Sequence, residues 1–144
     1  LIEIEFYREF FRRFPGTLRR SWLLKLVAYL ERALQIKKVF KEILKRESSD
    51  VALYSYWLTE AALAASLLRR ERSLVAVSRA HRFDVYEKDN SEYLPYMNFV
   101  LRSLRKTFPV SDDGRATLQV SAPSVTTIRT ASLGVPIPKS QAPT

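Results

Sequence analysis

The sequence predicts an α/β fold, in which a short parallel sheet is flanked by helices and preceded by amphipathic helices at the amino-terminal end. Short apolar runs at residues 51–58 and 74–78 are typical of buried strands. An alanine- and leucine-rich helix is predicted between them at residues 60–72, and Thr59 is placed to cap it. A strand, a helix of this length and a second strand form the βαβ unit of a parallel sheet.

The amino-terminal helices are predicted from apolar side chains that recur every three to four residues. Residues 4–14 interleave phenylalanines with arginines, and Pro15-Gly16 ends this helix. Residues 22–46 place one apolar face along a long helix. We expect that face to pack against the sheet of the same domain.

The remaining elements are predicted from shorter patterns. They are a loop at 48–50, a polar loop at 87–92, a helix at 97–105, a strand at 107–111, a helix that begins at Asp112 and is capped by Ser111, a β-prone stretch at 124–129 and a linker at 136–144. The linker is predicted because it is rich in proline and poor in apolar residues.

Composition limits the classes of function. The chain has 144 residues, about the size of one domain, and a formal net charge of +9. An anionic partner is therefore expected, such as nucleic acid, membrane lipid or a phosphorylated ligand. The absence of cysteine excludes a disulfide scaffold, a thiol nucleophile and cysteine-bound metals, and a single histidine excludes a multi-histidine metal site. No metal centre is expected.

The sequence also bears on cellular location. It contains no run of about 18 uncharged apolar residues, so no bilayer-spanning helix is predicted. The first residues lack an initiator methionine and the basic-then-apolar order of a signal peptide. We therefore expect a cytoplasmic protein whose natural beginning is missing from this chain.

Candidate site residues follow the predicted strands, because ligands of parallel sheets bind outside the carboxyl ends of the strands. These residues are Tyr56-Trp57, the run from Ser78 to His81, and Ser111-Asp112. His81 is the only histidine, and a catalytic role and a structural role are equally open for it. Asp84 could orient the imidazole of His81 or could accept backbone hydrogen bonds in the loop.

Several segments resemble motifs of bacterial glycosyltransferases. In this chain, residues 78–87 and 93–96 resemble the family motif SRAHGFDLYEE…YIPFR, and residues 53–58 resemble LYSYWL. Residues 108–114 resemble the motif FPISEDG, and residues 132–136 resemble SRLGVPDPG. The motifs occur in the same order in both and cover about residues 50–138. The family is that of retaining, GT-B-fold enzymes of the glycosyltransferase group 1, or family four, kind, which build exopolysaccharides and lipopolysaccharides.

The resemblance implies a domain organisation. Residues 1–138 would be an incomplete, Rossmann-like acceptor-binding domain, with amphipathic helices at 1–47 and the βαβ core at 50–138. Residues 139–144 would be a linker toward a missing donor domain. The nucleotide-sugar would bind that second domain, so no cofactor is expected in this chain, and the chain alone would be inactive.

The resemblance also implies roles for individual residues. His81 stands where these enzymes carry an active-site histidine, near the reacting sugar, and Asp84 would hold its loop. The candidates for binding a sugar or lipid-linked acceptor are Arg79, Tyr86, Tyr93, Tyr96 and Ser111. For each tyrosine, aromatic packing of the long loop is an open alternative.

The chain departs from the family motifs in several places. Arg82 stands where the family has a glycine after the histidine, and Met97 replaces the arginine of YIPFR. Ser132 precedes Leu133 where the family has an arginine. The glycine-rich first turn of the domain and the nucleotide-binding half, with its paired glutamates, are absent.

Two other functions are compatible with the charge. A basic module could bind nucleic acid through its phosphates, but no base-reading motif occurs and no specific nucleic acid is expected. Alternatively, the helices at 4–14 and 22–44 could bind an anionic membrane surface, which would place the protein at the inner face of a membrane. That location would agree with a lipid-linked acceptor. The oligomeric state is not predicted.

Overall fold

The computed structural model describes residues 2–47 and 50–134, and the predicted linker at 136–144 and residues 48–49 of the predicted loop lie outside them. The helices are α1 (Ile2–Arg12), α2 (Arg20–Arg46), α3 (Glu60–Glu71), α4 (Arg82–Val85), α5 (Met97–Ser103) and α6 (Asp112–Ser121). The strands are β1 (Ala52–Ser55), β2 (Val75–Ala80) and β3 (Lys106–Pro109), and two 3-10 turns cover Gly16–Leu18 and Glu87–Asn90.

The strands form one parallel sheet in the order β1-β2-β3. Ser55 lies opposite Ser78, and Ala80 lies opposite Pro109. The carboxyl ends of the strands therefore meet at the same edge. This arrangement confirms the predicted α/β fold, a parallel sheet with flanking helices as in part of a Rossmann-like fold.

The predicted β-prone stretch at 124–129 lies beside β3 without forming a regular strand. Thr107 donates its N–H to the carbonyl of Thr127 at 3.2 Å and accepts the N–H of Arg129 at 3.0 Å, and Ile128 forms a parallel bridge with Thr107. Further along, Ala131 donates to Pro109 at 2.9 Å. The chain after α6 thus extends the parallel arrangement by one irregular segment.

The first strand is shorter and more exposed than predicted. The sequence predicts a buried strand through residue 58, whereas β1 ends at Ser55 and the side chain of Tyr54 is 56% exposed. Just beyond the strand, two backbone groups of the loop bind side chains. The Ser55 hydroxyl donates to the carbonyl of Trp57, and the N–H of Leu58 donates to Asp84.

The second strand runs further than predicted. β2 extends through Ala80, so His81 follows the strand directly. The sequence predicts an end at Ser78, but pairing with β3 continues to the register of Ala80 with Pro109. The extra pairs bring His81 to the carboxyl edge of the sheet.

One of the two predicted helix caps is present in the structure. Thr59 occupies the position before α3, but its side chain makes no capping hydrogen bond. Ser111 caps α6 as predicted, because its hydroxyl oxygen accepts the N–H of Gly114 at 3.1 Å.

The core is centred on α3. Seven consecutive residues of this helix, from Ala62 to Leu68, are buried, because α3 contacts the sheet on one side and α2 and α5 on others. The apolar face predicted for α2 packs mainly against α3 rather than against the sheet, with Leu26 and Ala33 fully buried. Lys37 of α2 is also buried and pairs with Glu71 of α3.

The longest helix, α2, carries charged side chains along its length. In the part of the chain that the structure describes, no helix combines the length and the apolar content that crossing a bilayer requires.

The first helix, α1, buries acidic residues and exposes large apolar ones, the reverse of an ordinary amphipathic helix. Its buried residues are Glu5 and Glu9, which are 8% and 4% exposed. Its outer side carries large apolar side chains that are more than half exposed, which we call the outer stripe: Ile4, Tyr7, Phe11 and, in the turn that continues the helix, Phe14. Phe6 and Phe10 pack partly against the core.

Candidate functional site

The candidate site lies at the carboxyl edge of the sheet. The three strands end there at Ser55, Ala80 and Pro109. His81 follows the middle strand, and Ser111 lies two residues beyond the third. Open parallel sheets bind their ligands at this edge, since the loops that follow the strands converge there.

The imidazole of His81 contacts two aromatic rings. Its centroid is 4.7 Å from that of Tyr56 and 4.4 Å from that of Trp57. Both imidazole nitrogens are buried, and within residues 2–47 and 50–134 neither has a hydrogen-bond partner. Buried polar atoms are normally hydrogen-bonded, whereas this ring is held by packing against Tyr56 and Trp57.

Asp84 binds the backbone of the loop and not the imidazole. Its Oδ2 accepts the N–H of Leu58 at 2.6 Å, and its Oδ1 accepts the backbone N–H of His81. Burial raises the pKa of Asp84, and the two donated hydrogen bonds oppose that rise. The sequence left two roles open for Asp84, and in the structure it accepts backbone hydrogen bonds of the loop. Asp84 thereby positions His81 against the loop that follows β1.

A cavity of about 150 Å³ lies beside His81, between the ends of β2 and β3. Its walls are formed by Ala80, His81, Arg82, Val85, Tyr86, Val110, Ser111 and Gly114. A methyl group at Gly114 would lie only 3.2 Å from the Ser111 Oγ, so glycine leaves room for the cap of α6. The cavity brings together three of the predicted site residues: His81, Tyr86 and Ser111.

Tyr86 joins the loop to α6. Its hydroxyl donates a hydrogen bond to the carboxylate of Asp113. This bond to an anion raises the pKa of the Tyr86 phenol, since it stabilises the protonated form. The ammonium of Lys88 also lies 5.5 Å from the centre of the Tyr86 ring. Tyr86 therefore forms a wall of the cavity that is held at its hydroxyl end.

Arg79 lies outside this cavity. Its Nη2 donates to the carbonyl of Ala131 at 2.6 Å. The guanidinium thus connects β2 to the irregular segment after α6. The structure does not bring Arg79 to the other candidate acceptor residues.

Tyr93 and Tyr96 do not face the acceptor side as expected, because both lie in the core, 0% and 1% exposed. Tyr93 stacks on Trp22 at 4.8 Å, and Tyr96 lies 6.3 Å from Tyr29. Burial raises the pKa of both phenols. The physical reason is that each ring removes more apolar surface from water against α2 than it could in an open loop. In the structure, Tyr93 and Tyr96 therefore pack as aromatic core residues, which was the alternative left open for them.

Two charged residues, Lys25 and Glu9, hold the loop around residues 90–93, and no motif in the sequence marks them. Lys25 donates from Nζ to the carbonyls of Asn90 and Tyr93 at 2.6 and 2.7 Å, and burial lowers the pKa of Lys25. Glu9 accepts from the hydroxyl of Tyr93 at 3.4 Å. For Lys25 a signal existed, since it lies three residues after Trp22, on the face that packs inward.

Comparisons with known proteins do not identify the chain. It has no significant match among protein-family models, curated proteins or solved structures. In the described residues, no group of three histidine, cysteine, aspartate or glutamate side chains could hold a metal ion. A function for the chain is therefore inferred from its own residues.

Proposed function

We propose that the chain is the acceptor-side half of a glycosyltransferase, which moves a sugar from a nucleotide-sugar to a polysaccharide or a lipid-linked acceptor. The observation that carries this proposal is the placement of His81 at the end of the middle strand, with both ring nitrogens unpartnered beside a cavity. The motif order from residue 50 to 138 supports it, since the resemblance implies an active-site histidine at this position.

The chemistry of the cavity suits a sugar hydroxyl. A neutral imidazole can accept a proton at one nitrogen and donate at the other, so His81 can hydrogen-bond a hydroxyl group or take its proton. The rings of Tyr56 and Trp57, about half exposed, offer apolar faces next to these polar atoms. At about 150 Å³ the cavity is smaller than pockets that enclose a whole ligand, which begin at about 300 Å³. Only part of the acceptor would enter it.

The donor sugar has no place in this half of the enzyme. In the proposal, the nucleotide-sugar binds a second domain, and basic groups of that domain stabilise the departing diphosphate. The acceptor domain supplies the position of the attacking hydroxyl, which lowers the barrier by orientation. We place the enzyme in the cytoplasm, at the inner face of a membrane, where a lipid-linked acceptor would be available.

The single histidine provides a direct test of acceptor binding. Because the chain contains one histidine, a histidine-selective NMR spectrum reports His81 alone. We expect core oligosaccharide from bacterial lipopolysaccharide, or a short-chain prenyl diphosphate sugar, to shift the imidazole signals and the amide signals of residues 110–114 together.

The control for this titration is Tyr54→Ala, which removes an exposed ring of the sheet that does not line the cavity. This variant should bind with unchanged affinity. A titration in which both probes leave the His81 signals unmoved, or shift only residues far from the carboxyl edge, would contradict the proposal.

A further inference from the structure

We propose that the outer stripe of α1 docks the protein onto a membrane surface that contains anionic lipids. Ile4, Tyr7, Phe11 and Phe14 are 55%, 59%, 67% and 56% exposed. Single exposed apolar residues are ordinary, but four large ones on successive turns of one short segment form a patch. This inference is independent of sugar transfer.

The orientation of α1 is held by its acidic residues. Glu5 pairs with Arg70 of α3 at 3.5 Å, and Glu9 pairs with Arg12 at 2.9 Å and accepts from the Tyr93 hydroxyl. Burying carboxylates is unfavourable unless they are paired, and here the partners are present. These contacts turn the carboxylates inward and leave the apolar side chains of the stripe in solvent.

The orientation of α1 also determines which charged side chains of this segment are exposed. Among residues 2–27, the exposed charged residues are Glu3, Arg8, Arg12, Arg19 and Arg20, and Arg8 and Arg12 reach back to pair with Glu5 and Glu9. The segment contains six basic and three acidic residues, a net charge of +3, so it stays basic after these pairs are counted. Each basic residue near an anionic leaflet strengthens binding by about fivefold, so the surface around the stripe favours anionic lipid.

The shape of the stripe favours a lipid surface over a second protein chain. α1 is only 11 residues long and ends at Arg12, while exposed apolar side chains continue to Phe14 and to Leu18 in the following 3-10 turn. A coiled-coil partner would need an apolar seam that repeats over several heptads, which a helix of this length does not offer. Aromatic and aliphatic side chains next to arginines, spread over a helix and a turn, match the boundary between lipid headgroups and acyl chains.

Vesicle co-sedimentation of the whole chain tests this surface. We expect binding to vesicles of phosphatidylcholine mixed with phosphatidylglycerol, and weaker binding to phosphatidylcholine alone. The variant Phe11→Ser/Phe14→Ser should weaken binding at least about tenfold, because it removes two rings from the buried area. The matched control Val120→Ser/Leu133→Ser also removes two exposed apolar side chains, 80% and 55% exposed, and should bind as the parent chain does.

A labelled cysteine locates the contact directly. The chain has no cysteine, so Phe11→Cys and Val120→Cys each offer one site for an environment-sensitive fluorophore. We expect a blue shift on anionic vesicles from the label at position 11 and none from the label at position 120. Equal shifts, equal pelleting with neutral vesicles, or loss of self-association rather than of lipid binding in Phe11→Ser/Phe14→Ser would overturn the proposal.

Discussion

Asp84→Ala is expected to lower the free energy of unfolding by about 3 kcal/mol, since it deprives two backbone donors of their acceptor. Those donors are the N–H groups of Leu58 and His81, and Asp84 itself is 1% exposed. Water reaches such a position poorly, so the lost hydrogen bonds are not replaced. Asn at this position would restore only one acceptor oxygen. Urea denaturation of the two variants measures the effect.

The matched control for Asp84 is Asp89→Ala. Asp89 pairs with Arg82, whose side chain is 72% exposed, and exposed ion pairs contribute about 1 kcal/mol or less. The Asp84→Ala variant should also shift the NMR signals of His81, because the backbone of His81 is no longer tied to the end of β1. Equal denaturation midpoints for Asp84→Ala and Asp89→Ala would show that Asp84 does not hold the loop.

Tyr93→Ala is expected to lower the free energy of unfolding by about 4 kcal/mol, because it leaves a cavity where a fully buried ring stacks on Trp22. For a chain of 144 residues this corresponds to a fall in Tm of about 10 °C. Tyr93→Phe keeps the ring and loses only the contact with Glu9, so its cost should be about 1 kcal/mol or less. Thermal unfolding followed by circular dichroism measures both.

The comparison variant for Tyr93 is Tyr54→Ala, which truncates a tyrosine that is 56% exposed. It should change Tm by little. If Tyr93→Ala melted like Tyr54→Ala, Tyr93 would not be a core residue and its expected place on the acceptor side would have to be restored.

The fold was predictable because its central unit is local. The apolar runs around Leu53 and Val77 and the alanine-rich helix between them follow each other within about thirty residues, the length of one βαβ unit. The end of β1 was not predictable in this way. Just beyond this end, the N–H of Leu58 is bound by Asp84, which lies 26 residues further along the chain.

The orientation of α1 could not be predicted from the sequence either. Phenylalanine occurs on several sides of this helix, so the 3.6-residue period did not select an inner face. The selection comes from Arg70 and Tyr93, which bind Glu5 and Glu9 from 65 and 84 residues away. Periodicity carries no information about such distant partners.

The candidate site was predictable where strand ends determine it. His81 and Ser111 come just after two parallel strands, so the strand ends place both residues at the carboxyl edge of the sheet. There they line one cavity. Tyr93 and Tyr96 illustrate the opposite case. Both lie in an irregular loop, and whether such a ring faces a ligand or the core depends on the apolar surface of α2 that it meets.

Sugar transfer by the full-length protein tests the central claim most directly. With a labelled nucleotide-sugar and the membrane acceptor fraction, His81→Ala and His81→Gln are expected to lower turnover at least about a hundredfold, because general acid–base groups contribute about that much or more. Phe83→Ala removes a neighbouring side chain that is 66% exposed and should leave turnover unchanged. Turnover of the folded His81 variants equal to that of Phe83→Ala would contradict the assignment of this edge as the acceptor site.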